Sequence, residues 1–234
     1  QYDGNAYGDN VTFGDDGYNV DGTNSVNLSV RVVPSSVTIN STVPYTLTGT
    51  GGIDGTTSLV KANSGYAFIG TSNNFTGGTV LNEGTLAITQ DSALGTNSSS
   101  LTIAGGTLQF AGNVVSARPV ALTGNATFET LVGVTAQLNG VITNDTVTVT
   151  NIGAGTLGIA ANITNGLKNL VVNGGTLKIT NALVNVTGTS GGSLVDQSGI
   201  LEVAAGGTLT LGSGVSYFSI GNSSGAISTF LVSG

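Results

Sequence analysis

The chain has no cysteine, histidine, methionine or tryptophan, only three prolines, and charged side chains at just 7% of its 234 positions. Each absence excludes a class of chemistry. Without cysteine there is no disulfide framework, zinc finger or thiol nucleophile, and without histidine no Ser-His-Asp relay or imidazole-ligated metal. Five basic residues against twelve acidic ones leave a net charge of −7, the wrong sign for holding nucleic acid or an anionic membrane surface. No apolar run reaches the roughly 18 residues of a membrane-spanning helix, so no integral membrane segment is expected. No basic segment leads into an apolar one at the start, as a signal peptide would require. The chain opens on Gln1 rather than Met, which suggests a mature or excised segment. A sulfur-free, weakly charged composition suits an oxidising environment, and the expected location is extracellular or at a cell surface.

What the chain does have is 38 glycines without a Gly-X-Y period, together with abundant Thr, Val, Asn and Ser. β-Branched residues favour pleated strands, whereas Gly and Asn tolerate the positive φ of tight turns. Stretches with a helical period are missing. The fold class is therefore all-β.

Internal repetition narrows it further. Leu101-Thr-Ile103-Ala-Gly105-Gly106-Thr-Leu108-Gln-Phe110 reads as a strand, a Gly-Gly turn and a second strand. The module returns as Leu170-Val-Val172-Asn-Gly174-Gly175-Thr-Leu177-Lys-Ile179 and, one residue longer, from Leu201 to Leu211. A longer-turned copy joins Val147-Thr-Val149 to Gly155-Thr-Leu157-Gly-Ile159. With the weaker copies, starts fall at 37, 59, 79, 101, 120, 147, 170, 201 and 218, a mean step of about 23 residues. A parallel β-solenoid explains such a pitch, because each coil stacks about 4.8 Å above the last. Nine or ten coils of roughly 20–25 residues are expected.

In this reading Leu101/Ile103, Leu170/Val172 and Leu201/Val203 form one inward ladder. Leu108/Phe110, Leu177/Ile179 and Leu209/Leu211 form another, with Thr107, Thr176 and Thr208 stacking outside. Tyr45, Tyr66 and Phe68 take inward positions. The long steps at 120–147 and 170–201 are either protruding loops or coils of divergent sequence. Residues 1–27 hold Asp3, Asp9, Asp15, Asp16 and Asp21 and read as an acidic N-terminal cap or docking segment, with 28–234 forming the β-helix. Strand-like sequence continues through Phe218-Ser-Ile220 and Thr229-Phe-Leu-Val232 with no charged cap, so the C-terminal end reads as a cut or as a surface for another subunit.

The stretch Asn74-Phe-Thr-Gly-Gly-Thr-Val-Leu-Asn-Glu-Gly-Thr-Leu-Ala-Ile88, followed by Ser92-Ala-Leu-Gly95 and Leu101-Thr-Ile-Ala-Gly-Gly-Thr-Leu108, resembles the autotransporter-associated β-strand repeat, or passenger-associated transport repeat. Gly49-Thr-Gly-Gly-Ile-Asp-Gly55 and Ser58-Leu-Val-Lys61 resemble the short coils that precede it. Residues 49–110 carry the match, and later coils keep only its Gly-Thr-Leu skeleton. The resemblance implies a right-handed parallel β-helix in a large secreted bacterial surface protein, often an adhesin or long fibre. The membrane β-barrel that follows such passengers has no counterpart in these strands, because alternation with aromatic girdles is missing.

Candidate sites are sparse. Asp15, Asp16, Asn19 and Asp21 are a calcium candidate on oxygen content, but lack the regular ligand spacing and the closing bidentate Glu. A solvated acidic loop explains them as well, and no other cofactor is expected. The remaining carboxylates, Asp54, Glu83, Asp91, Glu129, Asp145, Asp196 and Glu202, sit at different offsets in the module. Only a loop contact between Glu129 and Asp145 would assemble the pair that glycan hydrolysis needs. Arg31 and Arg118 have no evident carboxylate at coil spacing, so no catalytic residues are expected. Sequons occur at Asn10, Asn27, Asn40, Asn74, Asn97, Asn125, Asn144, Asn162, Asn185 and Asn222, a modest excess for a chain rich in Asn, Ser and Thr.

The resulting expectation is a non-enzymatic structural subunit or segment of an extracellular fibre. Its partners would be copies of itself end to end or further coils of a longer chain. The alternative is an adhesin passenger showing loops to surface glycans, and the least favoured is a polysaccharide lyase or hydrolase.

Overall fold

A computed structural model of the chain describes residues 8–15, 24–187, 193–213, 215, 218–221 and 227–233. It is all-β, a parallel β-solenoid of about nine turns. Every strand pairing among the described residues is parallel. The coil has three faces. The first carries Asn10–Phe13, Ser36–Asn40, Ser58–Ala62, Thr79–Leu81, Leu101–Ile103, Val120–Leu122 and Ile142–Asn144 in stacking order. A bridge from Ile142 to Ile163 carries it on towards Leu183–Val186 and Thr208–Leu211. The second face has ten strands, beginning at Asn24–Asn27 and Tyr45–Thr48 and ending at Ser193–Asp196 and Phe218–Ile220. The third opens with Arg31–Val32 on Gly52–Ile53, and from Val114–Ser116 runs through six strands to Thr229–Val232.

Within each strand the burial alternates, as a period of two demands. Ser58–Ala62 buries Leu59 and Lys61, and Ala126–Thr130 buries Ala126, Phe128 and Thr130. Stacked coils place these inward residues in register, so Leu108 lies over Leu86 and Phe128 over Leu108. Phe110 and Phe128 stack with centroids 6.5 Å apart and planes inclined by 10°. The inward ladders of all three faces merge into one core running along the axis.

The Gly-Gly module is a corner, and it does not stay at one corner. The turn at Gly105-Gly106 joins the first face to the second, that at Gly174-Gly175 joins the second to the third, and Gly206-Gly207 joins the third back to the first. The expected ladders are therefore corrected. Leu101/Ile103, Leu170/Val172 and Leu201/Val203 lie on three different faces, and so do Leu108/Phe110, Leu177/Ile179 and Leu209/Leu211. Leu101 stacks between Thr79 and Val120, and Leu170 on Val149. Thr107, Thr176 and Thr208 likewise stack on their own faces, Thr107 between Thr85 and Thr127. All corners of a three-sided coil ask the same thing of the backbone, so one module fits any of them.

The rotation explains the irregular spacing. Measured within a face, successive partners such as Val120 and Ile142, or Ala136 and Leu157, are 22 and 21 residues apart. The long steps at 120–147 and 170–201 mark a change of face. They contain coils of divergent sequence, with strands Thr135–Leu138, Ile142–Asn144, Leu183–Val186 and Ser193–Asp196. Of the acidic segment 1–27, Asn10–Phe13 and Asn24–Asn27 pair with strands of the next coil and belong to the stack.

Corner glycines sit where one coil presses on the next. Gly106 has φ 77°, and a Cβ there would stand 2.6 Å from the Gly84 carbonyl of the preceding coil. Both the left-handed backbone and the close approach demand glycine. Asparagine does related work: Asn113, Asn125 and Asn162 accept hydrogen bonds through Oδ1 from the backbone N–H of Thr135, Thr148 and Leu183, one coil on. The sequon residues Asn125 and Asn162 thus satisfy corner N–H groups that the strand ladders leave open.

Candidate functional site

The chemistry-bearing side chains fall into three groups, namely buried cations, paired surface charges and an outward aromatic strip. Lys61 takes an inward position beneath Leu81 and above Ile39 and is fully buried. Its side chain turns to the corner, where Nζ donates to the carbonyls of Ala62, Asn63 and Glu83 at 3.0, 2.6 and 3.2 Å. Three ammonium protons meet three carbonyls from two successive coils. Burial lowers its pKa to about 8, against an opposing attraction from Glu83.

Arg118, 1% exposed, is a second buried cation. Its Nε pairs with Asp91 Oδ1 at 2.9 Å. Nη1 donates to the carbonyls of Leu94 and Ser99 at 3.0 and 3.1 Å, and Nη2 to those of Asp91 and Gly95 at 2.7 and 3.3 Å. These carbonyls belong to the 3-10 helix Asp91–Leu94 and the turn after it. The guanidinium thus gathers the carbonyls of Asp91, Leu94, Gly95 and Ser99 around an irregular bend, while Asn73 Nδ2 donates to the Ala93 carbonyl at 2.8 Å. Such a planar five-donor fork suits the task.

The spacing left Arg31 and Arg118 without an evident carboxylate, and this needs correcting. Arg31 forms a two-pronged pair with Asp54, through Nε to Oδ2 at 2.5 Å and Nη2 to Oδ1, and Asp54 lies 23 residues on, which is one coil. Arg118 has Asp91. Lys178 meets Glu202 at 2.9 Å on the third face. Arg31 holds the Asp54 carboxyl below its ordinary pKa, and the hydrogen bonds from Lys178 and Ser233 do the same for Glu202.

Of the calcium candidates, Asp15 lies at the first corner, and Asp16, Asn19 and Asp21 lie outside the described residues. Asp15 Oδ1 accepts from Ser41 Oγ at 2.5 Å and Thr42 N at 2.9 Å, and Oδ2 from Thr42 Oγ1 at 2.9 Å. Those donors lower its pKa; both oxygens are engaged in tying the first coil to the second. Among the described residues no group of three or more acidic side chains is placed to hold a metal. Glu129 and Asp145 are not brought together. Glu129 faces outward on the second face and Asp145 follows Ile142–Asn144 on the first.

The sequons divide by exposure. Asn10, Asn27, Asn40, Asn74, Asn97, Asn125 and Asn162 are exposed and Asn185 half-buried, and Asn222 lies outside the described residues. Asn144 is 2% exposed. Its Nδ2 donates to the Thr164 carbonyl and its Oδ1 accepts from Thr146 N at 2.7 Å, so the folded chain offers it no room for a glycan.

The aromatic residues also differ from expectation. Tyr45 is inward, as read from the sequence, and packs on Phe13 at 5.4 Å. Tyr66 and Phe68 instead face outward, with Ala67 and Ile69 filling the core. The buried roles of Lys61 and Arg118 were also missed. The signal for Lys61 was present, since it stands two residues after Leu59 on an inward alternation.

No family model, no curated protein and no solved structure matches this chain.

Proposed function

We propose that the chain is a non-enzymatic structural segment of an extracellular or cell-surface fibre, extended by stacking coil on coil. The observation that carries this is the state of its last coil. Leu211, Ile220, Phe230 and Val232 continue the inward ladders of Val186, Val195, Leu201 and Val203. Yet they are 42%, 44%, 41% and 70% exposed, whereas the residues beneath them are 8% exposed or less. Inward apolar side chains left in water are the end of a core that a further coil would cover, and strands beside them offer unpaired edges. That coil would come from a second copy or from further chain. The resemblance of residues 49–110 to the autotransporter-associated repeat supports the same setting.

Light scattering over a concentration series, with negative-stain microscopy, tests the reading. Rods that lengthen with concentration are expected, and Val232→Lys with Leu211→Lys should hold them at one subunit without lowering the thermal midpoint. Monomers of constant length at all concentrations would overturn self-stacking.

A further inference from the structure

The outward surface of the second face carries an aromatic strip that packing does not require. Its other outward positions from Ser25 to Glu129 are Ser, Asn, Thr, Ala, Gln and Glu. Tyr66 and Phe68 stand out on one strand, both half-exposed. Their rings lie along the sheet and do not stand off it. Tyr66 Oη donates to Gln109 Oε1 at 3.3 Å, and Gln109 is two strands away, so the tyrosine side chain crosses the intervening strand Thr85–Ile88. Ala87, at an outward position between Phe68 and Gln109, is accordingly 0% exposed. Phe68 leans along its own strand towards Gly70. A Cβ added at Gly70 would stand 2.8 Å from Phe68 Cε1 and 3.3 Å from Thr48 Cγ2, so the glycine leaves the ring room to lie flat.

The polar end of the strip is ordered. Gln109 Nε2 donates to Glu129 Oε2 at 2.7 Å on the next strand, and Glu129 Oε1 accepts nothing from the described residues. The row Thr85, Thr107 and Thr127 runs alongside in register. Burial and the nearby Glu129 raise the Tyr66 pKa, keeping the phenol a hydrogen-bond donor. From Thr48 to Glu129 the strip crosses five strands, roughly 19 Å at the usual inter-strand spacing.

Flat aromatic faces with in-plane amide and carboxylate acceptors fit the chemistry of sugars. The C–H face of a pyranose packs on a ring, and its equatorial hydroxyls reach sideways to acceptors. Glu129, with no cation paired to it among the described residues, in a chain of net charge −7, repels anionic polysaccharide. We propose that Tyr66, Phe68, Gln109 and Glu129 form a binding platform for a neutral polysaccharide chain. The rings stack on successive sugars, and Glu129 Oε1 accepts a hydroxyl. This platform is independent of the rod reading, because it uses the side of the solenoid and not its end.

The chain has no tryptophan and six tyrosines, so tyrosine fluorescence and calorimetry can follow titration with cellohexaose, xylohexaose and mannohexaose, with polygalacturonate as the anionic arm. At least one neutral hexasaccharide should bind. Affinity should fall about tenfold, roughly 1.4 kcal/mol, in Tyr66→Ala and in Phe68→Ala, and several-fold in Glu129→Gln. Tyr66→Phe should keep most of it. Amide shift mapping on the unaltered chain should place the sugar on strands Tyr66–Ile69, Thr85–Ile88 and Thr107–Phe110, which guards against variants that fold poorly. Absence of binding to all three neutral probes, binding mapped elsewhere, or binding of polygalacturonate alone would overturn the proposal.

Discussion

The middle of the solenoid and its last coil use the same residues in the same register and fare oppositely. Leu177 and Leu201 are both fully buried, each roofed by the coil above, whereas Phe230, next in that ladder, is 41% exposed. Nothing in the local sequence separates them. A leucine in a solenoid is buried by its neighbours one coil below and one coil above, so half of its shelter is supplied from some twenty residues away in either direction. Stability in such a fold is a sum over neighbouring coils, and the terminal coil holds only one term of it.

The polar interior sharpens the contrast, and Arg118→Ala should show the largest effect. It removes the guanidinium from the Asp91 carboxylate and from the carbonyls of Asp91, Leu94, Gly95 and Ser99, and losing one partner of a buried pair costs about 3–5 kcal/mol. Chemical denaturation should report that loss, and a change below about 1 kcal/mol would mean that water replaces the guanidinium. Leu108→Ala, in mid-stack, should cost about 2–5 kcal/mol. The same truncation at Leu211 should cost well under half as much. Equal losses at the two sites would show that the last coil is covered in solution, and a difference that vanishes with rising concentration would identify self-stacking as the cover.

Lys61 gives a smaller, pH-dependent effect. Its folded pKa of about 8 lies below the ordinary lysine value of 10.5, so between those limits the unfolded chain holds more protons than the folded one. Stability should therefore rise as pH climbs from about 8 towards 10.5, as the cost of burying the charge is relieved. Thermal midpoints of the native chain and Lys61→Met, compared across that window, should diverge in favour of the native chain. Parallel curves would place the ammonium in contact with water. Smallest of all, Arg31→Ala removes an exposed pair and should change stability by no more than about 1 kcal/mol.

How much of this was legible depends on how local each signal is. The coil length, the parallel stacking and the Gly-Gly corner follow from alternation and turn chemistry within some ten residues, and Leu101 to Phe110 displays all of it. Which face a module occupies was not legible, since the three corners demand the same backbone and only the count of coils beneath fixes the phase. Tyr66 and Phe68 were misread for that reason: a one-residue shift in strand phase exchanges inside for outside, and Tyr66-Ala-Phe-Ile69 offers apolar residues to either. The partners of Arg118 were hidden because Asp91 sits in a bend, off the strand register.

The sequence by itself determined that this chain coils into a β-solenoid, because β-branched alternation and corner glycine leave the backbone few other ways to bury its apolar side chains. Only the tertiary structure decided which side chains meet. Contacts in a solenoid run across coils, perpendicular to the chain. The neighbours of Lys61, Arg118, Tyr66 and Glu129 are therefore set by the rotation of each module about the axis, and not by anything adjacent to them in the sequence.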